Sequence, residues 1–156
     1  MPFSLIGFMA WASRIWELPG SLLTSAESKK TGGWHQEAIQ AAYLGLAEVA
    51  RSDITHNFST YHEGSRFPAF WGPNYDWVPD QDHGNVAVMA LETMLLQADG
   101  EKILLLPAWP KGWNVEFKLH APFNTTIEGA YRAGQLERLV VNPQSRSKDV
   151  GKINPQ

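Results

Sequence analysis

The chain has 156 residues, enough for one modest hydrophobic core, and no Cys. The lack of Cys excludes disulfides, a thiolate nucleophile and Cys-based zinc sites. Thirteen Lys and Arg against sixteen Asp and Glu give a net charge of −3, so the composition favours no broad basic surface for phosphate groups. We therefore expect no nucleic-acid partner.

Residues 3–12 form the first apolar run of the chain. No basic residues precede this run, and it is far shorter than the roughly 20 residues that a helix needs to cross a bilayer. We interpret it as buried structure, with a weak signal peptide as the alternative, and we expect no membrane partner.

Two helices are predicted before residue 98. Residues 34–51 place apolar side chains at three- and four-residue spacing, which predicts one amphipathic helix. Residues 84–97 are apolar around most of the helical circumference, which predicts a helix that is buried on most sides. Because two such helices and a few short strands do not cover each other, we expect their neighbours to lie outside this chain.

After residue 98 the pattern changes to that of strands. We predict strands at 103–110, 114–121, 125–132 and 136–143, since these segments are short apolar runs or alternate apolar with polar residues. Ala133 and Gly134 lie between the last two strands and predict a hairpin turn. The polar tail from Ser145 onward is predicted to be mobile at its end.

Between the predicted helices lies a segment that concentrates rings and carboxylates, with the sequence WGPNYDWVPDQDHGN at 71–85. Pro and Gly residues exclude regular structure there and stiffen the path, as in binding loops. Aromatic faces beside hydrogen-bonding groups are what a sugar site requires. The candidate substrate-binding residues are Trp71, Asn74, Tyr75, Asp76, Trp77, Asp80 and His83.

Simpler interpretations of the same residues stay open. Asp76 and Asp80 are also typical of caps and turns, and Asp82, immediately before the predicted helix, is typical of an N-cap. A calcium loop is a poor match, because no distant Glu ligand follows Gly84. His83 has no triad or metal spacing around it, so a hydrogen-bonded structural role competes with a role in proton transfer.

The run DHGNVAVMALETMLLQADGEKILLLPAWPKGW at 82–113 resembles the C-terminal end of six-hairpin (α/α)6 glycosidases of glycoside hydrolase family 95, which includes inverting α-L-fucosidases. Asp82 precedes Gln97 by 15 residues, as in that family, and residues 100–110 match its Leu-Leu-Pro-Ala-x-Pro strand. The chain departs from the family in having His83 and Gly84 where Gly and Asn follow the Asp. The similarity extends over roughly residues 32–149.

The resemblance implies an α+β chain. Residues 1–97 would be terminal helices of an (α/α)6 six-hairpin toroid and would contain the substrate loop 67–85. Residues 98–156 would be a small antiparallel β-sandwich-like unit with a polar tail. The implied activity is hydrolysis of a glycosidic bond by inversion, with α-L-fucosides as candidate substrates. Asp82 would be the catalytic residue that orients or polarises water, and we expect no cofactor and no metal.

The family's general-acid Glu lies upstream of the matching region, and no Glu of this chain replaces it by pattern. We therefore expect a truncated gene product or a fragment of a longer glycosidase, weakly active or inactive alone. Its expected partners are an oligosaccharide or glycoside and either the remaining helices or a second copy of the chain. The resemblance favours a periplasmic or extracellular location. A non-catalytic carbohydrate-binding remnant and a purely structural domain are the alternatives.

Overall fold

The computed structural model describes residues 36–59 and 81–152, which form a mixed helix and sheet structure. The helices are α1 (Glu37–Tyr43), α2 (Ala47–Ser59) and α3 (Gln81–Leu95). The strands are β1 (Leu96–Asp99), β2 (Lys102–Leu105), β3 (Val115–Ala121), β4 (Thr125–Arg132), β5 (Gln135–Asn142) and β6 (Val150–Lys152), with a 3-10 helix at Gln144–Asp149.

The prediction of one helix over 34–51 is wrong, because the chain turns between α1 and α2. Gly45 has a φ of +74°, a conformation that only Gly adopts readily. The Gly45 N–H donates to the Ala42 carbonyl at 3.1 Å and the Leu46 N–H to the Ala41 carbonyl at 2.9 Å. This pair of hydrogen bonds is the Schellman motif that ends a helix, and α2 then continues to Ser59.

The three helices pack against one another through small side chains. Ala42, Ala50 and Ala90 are fully buried, and four more Ala residues of these helices are nearly so. Small residues let helix backbones approach closely but bury little apolar area each. The prediction that the helix at 84–97 is buried on most sides is wrong, since Val88 and Met89 of α3 are 49% and 53% exposed.

Two small sheets follow α3. Sheet 1 has the order β1-β2-β6, with β1 antiparallel and β6 parallel to β2. Sheet 2 is the antiparallel meander β3-β4-β5. Its three strands confirm the predictions to within one residue, and the Ala133–Gly134 turn is confirmed by positive φ values of 48° and 81°.

One strand prediction in the β region needs correction. The strand predicted at 103–110 ends at Leu105, because Leu106 has a φ of +60° and Pro107 follows it. The end of the polar tail, which was predicted to be mobile, lies outside the described residues, and residues 144–152 form the 3-10 helix and β6. Arg146 holds this segment, since it donates hydrogen bonds to both sheets.

One hydrophobic core joins the helices to both sheets. Met94 of α3, Ile103 and Leu105 of β2, and Ile127 of β4 are each fully buried in it. The inward side chains of sheet 2 alternate with outward polar ones, as a sheet with one buried face requires.

Gly129→Ala is expected to lower the free energy of unfolding by about 1 to 3 kcal/mol. The Phe117 ring covers Gly129 in the paired strand, and a Cβ added at Gly129 would lie 2.7 Å from Phe117 Cε1. The ring is 8% exposed, so it moves only by disturbing the core. Urea unfolding would measure the change. Gly112→Ala is a matched control, since nothing lies within 4 Å of a Cβ there; equal losses in the two variants would contradict this packing argument.

Tyr131→Phe is expected to raise the free energy of unfolding by about 1 kcal/mol. Tyr131 is 2% exposed, and its hydroxyl is a buried polar atom without a hydrogen-bond partner in the described part of the chain. Burial raises the pKa of this hydroxyl. Stability should therefore fall above about pH 10, where Tyr131 ionises in the unfolded chain, and the variant should lose this dependence. A destabilised variant would show that the hydroxyl has a partner.

Candidate functional site

Most of the predicted substrate-binding residues lie outside the described residues. These are Trp71, Asn74, Tyr75, Asp76, Trp77 and Asp80. The backbones of Asp82 and His83 lie in the first turn of α3, and the structure does not describe their side chains. The expectation that Asp82 immediately precedes the helix is wrong, because α3 begins at Gln81 and Asp82 is its second residue. A first-turn Asp still interacts favourably with the helix dipole.

Two helices present the ends of the candidate loop. α2 ends at Ser59 and α3 begins at Gln81, so residues 60–80 connect two elements that pack on each other. The position of Asp82 is therefore set by the axis of α3. The direction of this axis is in turn fixed by the contacts of α3 with the rest of the fold.

The C-terminal end of α3 is held by three donors. The last carbonyls of a helix have no partner within the helix and need one from elsewhere. The Gln97 side-chain amide donates to the Thr93 carbonyl at 3.0 Å. The N–H groups of Ala108 and Leu106 donate to the Met94 and Leu95 carbonyls at 3.2 and 2.7 Å. The end of α3 is therefore fixed to the turn that follows β2.

Gln97 also connects α3 to α1. Its amide nitrogen donates a second hydrogen bond, 2.9 Å long, to the Ala42 carbonyl at the end of α1. One side chain thus satisfies carbonyl groups at the C-terminal ends of two helices. Gln97 belongs to the segment that resembles the glycosidase family, and its structural role in this fold is to join the ends of α1 and α3.

The Pro-Ala-Trp-Pro turn after β2 is built around two Trp rings. Trp109 is 5% exposed, and its indole N–H donates to the Trp113 carbonyl at 2.9 Å. The two rings meet edge to face, with centroids 5.5 Å apart and an interplanar angle of 69°. These two Trp residues therefore form the junction between helices and sheets, and the sugar-binding prediction concerns other Trp residues.

Three described carboxylates have surroundings that do not favour a general acid. Glu48 and Glu92 are exposed on helix surfaces, as their pattern predicted. On sheet 2, the Lys118 ammonium hydrogen-bonds to Glu128 and, with its charge, lowers the pKa of that carboxyl. A general acid requires a raised pKa, so the environment of Glu128 acts in the opposite direction.

Neither a cluster of potential metal ligands nor a membrane-spanning helix is present in the part of the chain that the structure describes. Across residues 36–59 and 81–152, no three side chains of His, Asp or Glu are grouped so that they could hold a metal ion. No helix in these ranges is long and apolar enough to cross a membrane.

The structural role of Arg146, which lies near the start of the polar tail, was not predicted from the sequence. Its guanidinium pairs with Asp149 three residues later, a spacing typical of helical ion pairs, and this was the available signal. The partners of Arg146 in the two sheets have no sequence signal, because they lie 21 and 45 residues away.

Comparison of the chain with protein-family models, curated proteins and solved structures found no match.

Proposed function

We propose that this chain is the C-terminal part of a glycoside hydrolase that cleaves a glycosidic bond by inversion. In this proposal α2 and α3 are the last hairpin of an (α/α)6 toroid, residues 1–97 belong to the catalytic domain, and residues 98–156 form its C-terminal β unit. Support comes from the resemblance at 82–113, which covers α3, β1, β2 and the Trp109 turn. These elements form one continuous packed unit around Met94 and Ile103.

Asp82 is the proposed catalytic residue. Inversion needs a carboxylate that activates water on one face of the sugar and a carboxylic acid on the other, roughly 6.5 to 9.5 Å away. Asp82 would orient or polarise the water, because it lies in the first turn of α3, directly after residues 60–80 that connect α2 to α3. The general acid would come from outside this chain.

The candidate loop supplies the proposed sugar contacts. The rings of Trp71, Tyr75 and Trp77 would stack on apolar sugar faces, and the polar groups of the loop would accept or donate hydrogen bonds to hydroxyls. The polar candidates are Asn74, Asp76, Asp80 and His83. The single observation that carries this proposal is that α3 has a fixed axis, held at its end by Gln97, Leu106 and Ala108. A site needs such rigid support.

The remaining helices of a longer enzyme, or a second copy of the chain, are the proposed protein partners. Val88 and Met89 of α3, and Val49 of α2, are apolar and at least 40% exposed. Exposed apolar side chains on adjacent helices favour association with another surface. A location outside the cytoplasm is proposed on the family resemblance alone.

Calorimetric titration of the full chain with aryl α-L-fucosides and oligosaccharides tests the binding part of the proposal. We expect saturable binding that Trp77→Ala weakens by about tenfold or more, because truncating a stacking ring removes a central contact. Phe123→Ala is the matched control, since Phe123 is an aromatic residue that is 61% exposed in the turn between β3 and β4. Equal affinity in the Trp77 variant and wild type, or no binding of any glycoside, would contradict the proposed site.

A further inference from the structure

The C-terminal segment 143–152, here named the strap, connects the two sheets. It leaves sheet 2 at the end of β5, forms the 3-10 helix Gln144–Asp149, and adds β6 to the edge of β2 in sheet 1. The 3-10 helix buries none of its residues, and β6 pairs with β2 over only three residue pairs. Val150 of β6 packs against the hydrophobic core, but no residue from 143 to 151 is itself fully buried.

Besides the backbone pairing of β6 with β2, Arg146 supplies side-chain hydrogen bonds from the strap to the rest of the fold. Its Nε donates to Thr125 Oγ1 at 3.1 Å and its Nη2 to the Glu101 carbonyl at 2.9 Å. Thr125 begins β4, and Glu101 lies in the turn between β1 and β2. One guanidinium is thus bonded to both sheets. The guanidinium is planar and its N–H groups point in different directions, so one Arg side chain can bond to partners in both sheets.

Two further contacts shield and orient the guanidinium. Its Nη1 pairs with Asp149 Oδ2 at 2.7 Å, and both side chains are less than 20% exposed, at 12% and 17%. The guanidinium carbon also lies 5.2 Å from the centroid of the Phe123 ring. Charge-assisted hydrogen bonds that are shielded from water are stronger than exposed ones. Each of the three guanidinium nitrogens therefore donates one hydrogen bond within the fold, which gives Arg146 a structural role.

We propose that the strap detaches from both sheets as one unit while the helices and sheet 2 stay folded, and that Arg146 is the latch that keeps it closed. The strap opens independently because it is attached by one guanidinium, three residue pairs with β2 and the half-buried Val150, whereas strands β2 to β5 each contribute more residues to the apolar core. Opening removes the parallel partner of β2, whose Ile103 and Leu105 are fully buried in the closed form. The strap thus protects an apolar strand edge from pairing with other chains.

Hydrogen exchange of the full chain under native conditions, followed by mass spectrometry of peptides, tests this proposal. In the wild type, amides of the strap should exchange faster than those around Ile127 in the centre of β4. Arg146→Ala should accelerate exchange of the strap and of the β2 amides bonded to it by about tenfold or more, and leave exchange around Ile127 unchanged. Lys148→Ala is the control, because Lys148 is an exposed cation on the same 3-10 helix; it should change nothing.

Two results would overturn the proposal. Equal exchange of the strap and the centre of β4 in the wild type would mean that the strap opens only with global unfolding. Acceleration of all peptides alike in the Arg146 variant would mean that the guanidinium stabilises the whole fold and no separate latch exists. If Arg146→Ala does not fold, Arg146→Lys replaces it, because Lys keeps the positive charge but cannot make the three divergent hydrogen bonds of the guanidinium. The same comparison of exchange in the strap and around Ile127 then tests the proposal.

Discussion

Trp109→Ala is expected to lower the free energy of unfolding by about 3 to 5 kcal/mol, the range for removing a large buried aromatic side chain. Trp109 is 5% exposed, and its ring packs edge to face against Trp113. Ala108, the preceding residue, is bonded through its N–H to the end of α3. A cavity at Trp109 would therefore weaken the junction between the helices and both sheets.

Urea unfolding followed by circular dichroism would measure this loss. Trp109→Phe keeps an aromatic ring but removes the hydrogen bond to the Trp113 carbonyl, so it should cost less than Trp109→Ala. Trp113→Ala serves as the control, because Trp113 is only half-buried and should cost less than Trp109→Ala as well. A loss below about 1 kcal/mol for Trp109→Ala would contradict a structural role for its ring.

Gln97→Leu is expected to cost about 1 to 3 kcal/mol, since the Thr93 carbonyl loses the donor that Gln97 supplies, while the Ala42 carbonyl keeps its hydrogen bond from the Gly45 N–H. The affected carbonyls belong to Ala42, which is fully buried, and Thr93, which is 9% exposed. Leu has a similar volume, so the packing changes little while the amide donor disappears.

The matched control for Gln97 is Gln40→Leu, the same chemical change at an exposed position of α1. We expect it to alter the unfolding free energy by less than about 0.5 kcal/mol. Equal effects of the two substitutions in thermal or urea unfolding would contradict the role of Gln97 as the side chain that joins the ends of α1 and α3.

Sheet 2 was predictable from the sequence because its determinants are local. Strand alternation places Phe117 and Ile127 on one face, and the Ala133–Gly134 pair allows the positive φ values of a tight hairpin turn. The break at Gly45 was also visible as a Gly inside a helical pattern. Amphipathic periodicity continues across it, so the pattern alone favoured a single helix over 34–51.

The rest of the fold depends on contacts between residues far apart in the chain. Arg146 holds the strap through partners in both sheets, and the polar composition of this segment did not predict those contacts. The start of α3 was misplaced because Gln81, Asp82 and His83 are polar, whereas the prediction followed the apolar residues after Gly84. For the candidate site, the sequence supplied residue types and the structure contributes the scaffold that supports Asp82.

The proposed role of Asp82 is tested most directly by hydrolysis of two α-L-fucosides with different leaving groups, using the full chain and an Asp82→Asn variant. A dinitrophenyl group departs without protonation, whereas the sugar leaving group of an oligosaccharide needs a general acid. We expect slow hydrolysis of the dinitrophenyl fucoside that falls by about 100-fold or more in the variant, and no hydrolysis of the oligosaccharide. Equal rates in the two proteins would contradict the role of Asp82, and cleavage of the oligosaccharide would contradict a general acid supplied from outside this chain.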